Sequence, residues 1–249
     1  VIEPAKGESK HVLGRWPGVR VLGTNPQQAE VLRLNPFSFP DGIHVLEHVD
    51  RMIEIFSVCW PMYAAMPAVL KDAILRAYVQ CGWDLVASTN EVFPRLFPCF
   101  ADLLEALEQV INASDYSAEA KSNYLGALGT RVKSLCNGLN GQILGVDALT
   151  DAALFDQPVV IDLSRLGSVE TRSLIMGMLV MRLGEYRMAV GGMNLPFRHL
   201  TVLEEAHNIL PGKTSAGVEG AGVAGKSVEM LSNAIAEMRT YGQGFVIAD

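Results

Sequence analysis

Nowhere in the 249-residue chain do about 18 apolar residues follow one another, which excludes an ordinary membrane-spanning helix. Cysteine is scarce. Cys59, Cys81, Cys99 and Cys136 form no CxxC pair, so neither a zinc site nor a thioredoxin-type motif is indicated. Four dispersed thiols suit a reducing compartment, and a cytoplasmic protein is the expectation. Positive charge is also in deficit: 20 Lys and Arg stand against 27 Asp and Glu, a net charge of −7. That balance argues against a surface coated for nucleic-acid binding, though a pore lined by a few Lys and Arg stays compatible with it. Charged residues make up only 19% and hydrophobic ones 49%, with a mean hydropathy of +0.23, too apolar for a disordered chain. The first residues, Val1-Ile2-Glu3-Pro4, carry neither an initiator Met nor a signal peptide's basic and apolar regions.

What is present is a strand–helix rhythm interrupted by a long helical stretch. Val1-Ile2 reads as the end of a strand, residues 19–24 as a short strand, and Val31-Leu32-Arg33-Leu34 as another. The apolar period then changes from two to 3.6. One helix carries Val45, Val49, Met52, Ile53 and Phe56 on one face. A second opens at Pro67 and stops at Gly82, a third spans Leu103 to Ile111, and a fourth runs from a Ser117 cap to Asn137-Gly138. Gly126 and Gly129 weaken that fourth helix by about 1 kcal/mol each. Trp60 and Trp83 read as packing or subunit-contact aromatics.

Strands return at 158–163, 200–203 and 244–248, separated by helices from Ser168 to about Arg187 and over 227–240. The expected fold is α/β: a mostly parallel sheet flanked by helices, formed by residues 1–35 and 138–249, with 36–137 an all-helical insertion. Both ends read as the middle of a domain, so an excised segment is expected.

Gly220-Ala-Gly-Val-Ala-Gly225-Lys226-Ser227 matches GxxxxGK[ST] letter for letter. A phosphate loop needs a buried strand just before it, to aim its backbone N–H groups at the phosphates. Here a polar, glycine-rich loop precedes the match. The preferred reading is a surface or pore loop, with Gly220, Gly225, Lys226 and Ser227 as the lesser phosphate-binding alternative.

Glu204-Glu205 closes the strand at 200–203. Parallel sheets place chemistry at the carboxyl ends of their strands, where one carboxylate can hold Mg2+ and the next can polarise an attacking water. Alternatively the pair only opens the next helix, where the helix dipole favours acids. His207 has no second ligand-spaced His or Cys nearby, so hydrogen bonding or phosphate sensing suits it better than zinc. Arg239 either satisfies a helix carboxyl end or reaches a nucleotide.

Three strings together resemble the HerA/FtsK-type P-loop ATPases, in particular the HerA-like helicases and translocases related to type IV secretion and conjugation motors. They are Val1-Ile-Glu-Pro-Ala-Lys-Gly-Glu8, Glu204-Glu-Ala-His-Asn-Ile-Leu210 and Glu237-Met-Arg-Thr-Tyr-Gly-Gln-Gly-Phe-Val-Ile-Ala-Asp249. Leu34-Asn-Pro-Phe37 and Val160-Ile-Asp-Leu-Ser-Arg-Leu166 also fit. The resemblance implies a RecA-like core that uses ATP and Mg2+. It gives Glu204 the Walker B acidic place, usually Asp, and Glu205 the catalytic glutamate place; Arg239 becomes an arginine near a subunit boundary, in cis or in trans. It also places the phosphate loop upstream of Val1, so that residues 1–249 alone are expected to bind ATP weakly or not at all and to be inactive as an isolated fragment. A homo-hexameric ring around double-stranded DNA is implied, and some relatives work beside a nuclease or another effector, including in anti-phage defence. A non-enzymatic scaffold with the motor fold, and a small-molecule kinase or transferase on the same sheet, are the competing readings.

Overall fold

The computed structural model describes residues 1–205 and 235–248. Within them the chain forms two compact units: residues 1–32, 58–60 and the chain from Leu149 onward, and residues 33–57 with 61–148.

The first unit is built on a six-stranded sheet in which every pairing is parallel. Its strands are β1 (Ile2–Glu3), β2 (Arg20–Gly23), β3 (Glu30–Val31), β4 (Val159–Asp162), β5 (His199–Glu204) and β6 (Gln243–Ala248), in the order β3-β2-β4-β1-β5-β6. A parallel strand covered on both faces must be apolar throughout, and Val159, Val160, Ile161 and Asp162 of β4 are all buried. The third strand is shorter than its apolar run predicts. Pairing stops at Val31, the Leu32 amide still donates to Gly23 O, and Leu34 turns its amide to Ile143 O instead.

Helix α1 (Ser9–Val12) follows β1, and the 22-residue α9 (Val169–Val190) links β4 to β5, with Ser168 Oγ accepting from the Thr171 amide at its cap. The chain leaves β1 and β2 toward the β3 edge and leaves β4 and β5 toward the β6 edge. Neighbouring exits therefore diverge at two places, between β1 and β5 and between β2 and β4. Such switch points open crevices above the carboxyl ends of a sheet.

The amino end of the sheet is closed by a buried polar network. Arg187 Nη2 donates to Phe155 O at 2.7 Å, Nη1 to Asp156 Oδ1 at 2.8 Å and Nε to Gln243 Oε1 at 3.2 Å. Gln243 Nε2 donates to Thr201 Oγ1 at 3.0 Å, and His199 Nδ1 lies 2.9 Å from Gln243 Oε1. Tyr186 OH donates to Asp156 Oδ2. Burial raises the Asp156 pKa, but the bonds from Arg187 and Tyr186 outweigh it and hold the carboxyl below its ordinary value. Burial lowers the His199 pKa, helped by the Arg187 charge.

The second unit is helical. It holds most of α2 (Val45–Cys59), α3 (Met66–Gln80), α4 (Phe100–Ala113), α5 (Ala118–Tyr124), α6 (Thr130–Cys136) and α7 (Gly138–Ile143); α8 (Asp151–Phe155) belongs to the first unit. Residues 138–148, expected beside the sheet, cluster with these helices. Pro67 sits in the first turn of α3, and Gly82 beyond its end takes φ +92°. Ser117 Oγ accepts from the Ala120 amide at 3.3 Å, as a cap should. The fourth expected helix is broken by a π-helical turn at Leu125–Gly129, the segment that holds both weakening glycines. Phe37, Phe39, Tyr78, Trp83, Phe97 and Phe100 form an aromatic core, with Trp83 Nε1 donating to Leu96 O at 2.7 Å.

Candidate functional site

Glu204 is the last residue of β5, an interior strand flanked by β1 and β6, and Glu205 follows at the β1–β5 switch point. The apolar strand forces this placement. Thr201 and Leu203 are buried, so the first acidic residues emerge where the strand ends. Neither carboxylate lies on an outer helix.

Ser9 Oγ of α1 donates to Glu204 Oε1 at 2.8 Å. Ser9 is itself held by β1. The Glu3 carboxylate, only 1% exposed, accepts from the Glu8 amide through Oε1 at 2.7 Å and from the Ser9 amide through Oε2 at 2.9 Å. These two bonds satisfy a charge that would otherwise be costly to bury. They also fix the start of α1, so its next two side chains point to different strand ends. Ser9 reaches β5, while Lys10 Nζ lies 2.7 Å from Asp162 Oδ2 at the end of β4. Burial raises the Asp162 pKa, but Lys10 and Ser164 as donors more than reverse that and hold it below its ordinary value.

Glu205 is different. Its φ is +48°, the left-handed region that L-residues with long side chains avoid. The conformation is maintained because the Glu205 amide donates to Ala248 O at 2.7 Å, tying the end of β5 to the end of β6. Lys6 Nζ lies 3.9 Å from Glu205 Oε1, but with the Lys6 side chain 66% exposed this contact fixes little. Strain of this kind persists only where the surrounding structure over-determines the backbone.

Glu204 supplies a carboxylate and Ser9 a hydroxyl, hard oxygen donors of the type Mg2+ takes together with waters and phosphate oxygens. Among the described residues no group of three or more His, Cys, Asp or Glu could hold a metal by itself. The donor set therefore fits a magnesium ion that arrives with a polyphosphate and keeps most of its water, and it does not fit zinc.

The predicted site residues separate. Glu204 and Glu205 stand together, whereas Arg239 opens a 3-10 turn (Arg239–Tyr241) ahead of β6, at the amino end of the sheet. Six strand residues lie between the two ends, roughly 17–20 Å. Arg239 is exposed and does not meet the acids of its own chain. His207 and the GxxxxGK[ST] match with Gly220, Gly225, Lys226 and Ser227 lie outside the described residues. Sequence reasoning missed Glu3, Ser9, Lys10 and Asp162 as site builders. The signal was the placement of Glu3 and Asp162 as the first acid after an apolar strand, the same signal that exposed Glu204.

Comparison with solved structures finds VirB4 of Thermoanaerobacter pseudethanolicus at a TM-score of 0.64 and 15% identity, over 100% of this chain and 61% of that one. The bacterial conjugative coupling protein TrwB, in its ΔN70 form, matches at a TM-score of 0.53 and 13% identity, over 99% of this chain and 55% of that one. No family model matches the sequence, and no curated protein does. The chain thus spans about three-fifths of the length of these solved relatives and shares their fold. The all-parallel sheet flanked by helices, with its acid-tipped interior strand, is the fold this chain has in common with those two proteins.

Proposed function

We propose that this chain is the ATP-hydrolysing core of a DNA motor of the HerA-like translocase or helicase type. The observation that supports this reading most is Glu205, held in a left-handed backbone next to Glu204 at a switch point of a fully parallel sheet. The fold shared with VirB4 and with a conjugative coupling protein supports the motor class. In this reading Glu204 and Ser9 hold Mg2+, which neutralises charge on the phosphates. Glu205 orients the attacking water by accepting its hydrogen bond. Glu3 acts at one remove by fixing Ser9. Phosphates are held by a loop outside residues 1–249, as the sequence resemblance implies, and the glycine-rich match at 220–227 has no catalytic part in this reading.

Arg239 stands too far from Glu205 to act on the same nucleotide, so its role in this reading is in trans, toward the site of a neighbouring subunit. That requires a closed oligomer, and a hexameric ring threaded by double-stranded DNA is the arrangement the resemblance implies. In the intact protein, Glu205→Gln is expected to lower ATP turnover by about 10²–10⁴-fold while leaving folding intact. Unchanged turnover would favour the scaffold reading, in which the motor fold serves only as an interaction module. Duplex DNA is expected to stimulate turnover, and failure to do so would favour a small-molecule kinase or transferase.

A further inference from the structure

The sheet has two switch points, and the Glu204–Glu205 pair occupies only one. Above the other, between the carboxyl ends of β2 and β4, lies a cavity of about 480 Å³. That size falls in the range of small-ligand sites. It is lined by Val21, Gly23 and Ala29 and by the polar side chains of Lys10, His11, Thr24, Asn25, Gln28, Asp162 and Arg165. We propose that this pocket is a second ligand site, one that takes the phosphate group of a small anion.

Three observations carry the assignment. Thr24 is 2% exposed and lines the pocket, yet its Oγ1 has no hydrogen-bond partner among the described residues. A buried hydroxyl left without a partner is destabilising and rare; the atom is closed to the pocket as it stands, so an oxyanion reaches it by displacing the side chains that cover it. The charge balance is the second observation. Asp162 is already neutralised by Lys10 at 2.7 Å, so the unmatched charge in the pocket is the Arg165 guanidinium, exposed and without an ion pair among the described residues. A planar fork of donors suits phosphate oxygens. The third is the loop after β2. Asn25 Oδ1 accepts from the Gln27 amide at 2.9 Å and closes a tight turn, which brings Ala29 back over the strand. A Cβ on Gly23 would stand 3.1 Å from Ala29 Cβ, a tight contact that the glycine avoids. The result is a half-open hollow of about 480 Å³, a size that favours a small ligand over a nucleic-acid strand.

This site is separate from the Glu204–Glu205 cleft and does not depend on the function proposed for that cleft. The test is calorimetric titration of the intact protein with inorganic phosphate and, separately, with ADP. Wild-type protein is expected to bind inorganic phosphate in roughly the millimolar range. Arg165→Ala is expected to weaken that binding about tenfold and Thr24→Val about threefold, both with unchanged circular dichroism. Glu205→Gln is expected to leave it unaltered. Competition between ADP and phosphate for this pocket identifies a nucleotide as the source of the phosphate group; phosphate binding without ADP competition identifies the free anion. Equal affinity in wild type, Arg165→Ala and Thr24→Val overturns the proposal, as does the absence of saturable binding. So does a loss caused by Glu205→Gln alone, which would put the phosphate in the other cleft. If Arg165→Ala lowers affinity for duplex DNA and not for phosphate, a nucleic-acid contact replaces it.

Discussion

The amino and carboxyl ends of the sheet use polar residues in opposite ways. At the amino end Arg187, Gln243, Asp156, Tyr186 and His199 satisfy one another in a buried network, and Arg187 spends three nitrogens on three different partners. At the carboxyl end Glu205 sits in an unfavourable backbone region, and its ion pair with an exposed Lys6 is a long one. One end gains stability from polar groups; the other gives up some stability to present them. In parallel α/β sheets that division is expected, since ligands approach the carboxyl ends.

The comparison breaks most readily at Arg187. Replacing it with Ala removes bonds to Asp156, Phe155 and Gln243, and the buried Phe155 carbonyl loses this donor. Arg187→Ala is therefore expected to lower the unfolding free energy by about 3 kcal/mol, read from urea titration. A loss below about 1 kcal/mol would mean that water replaces the guanidinium and that the amino end is not the anchor described here. Arg187→Lys is expected to recover only part, because an ammonium cannot reach all three partners in their fixed directions.

The six strands were legible in the sequence because parallel strands buried on both faces leave short, unbroken apolar runs between turn residues. Val159–Asp162 shows this directly, while the edge strand Gln243–Ala248 keeps an apolar run at Phe245–Ala248 although its second half is exposed. The Ser117 and Ser168 caps and the Pro67 start were legible for the same local reason. The interruption at Leu125–Gly129 was not, since a π-helical turn leaves the apolar spacing almost unaltered. Of the candidate site, Glu204 and Glu205 could be found because they interrupt an apolar strand. Ser9 and Lys10 could not, because their roles depend on Glu3 turning back onto their helix, a contact fixed by tertiary structure. The distance of Arg239 from the acids needed only the strand direction, which places a residue ahead of β6 at the wrong end of the sheet.

A second prediction sharpens the contrast at the carboxyl end. Glycine adopts a φ of +48° without the clash that Glu205 bears. Glu205→Gly is therefore expected to raise the unfolding free energy by about 1 kcal/mol while abolishing ATP turnover in the intact protein. A gain in stability coupled to a loss of activity marks a residue kept for its chemistry. If Glu205→Gly instead destabilises the protein, the carboxylate is a structural partner and the contrast between the two ends fails.

The smallest effect concerns pH and again separates the ends. Burial lowers the His199 pKa below its ordinary value of 6.5, so the folded protein holds the ring neutral where the unfolded chain would protonate it. Between the unfolded value and the lower folded value, the unfolded state binds more protons. Stability is then complete above about pH 6.5 and falls as the pH drops through that window. Asp162 acts lower, because its depressed pKa stabilises the fold above the ordinary carboxyl value of 3.8 and is lost as pH falls through the folded value. Unfolding midpoints at about pH 8 and about pH 5 thus isolate the histidine from the carboxylate. His199→Gln is expected to reduce the difference between those midpoints, with Gln unable to take up a proton. An unchanged difference would show that the amino-end network admits a charged imidazole at no cost, which its nearness to Arg187 argues against.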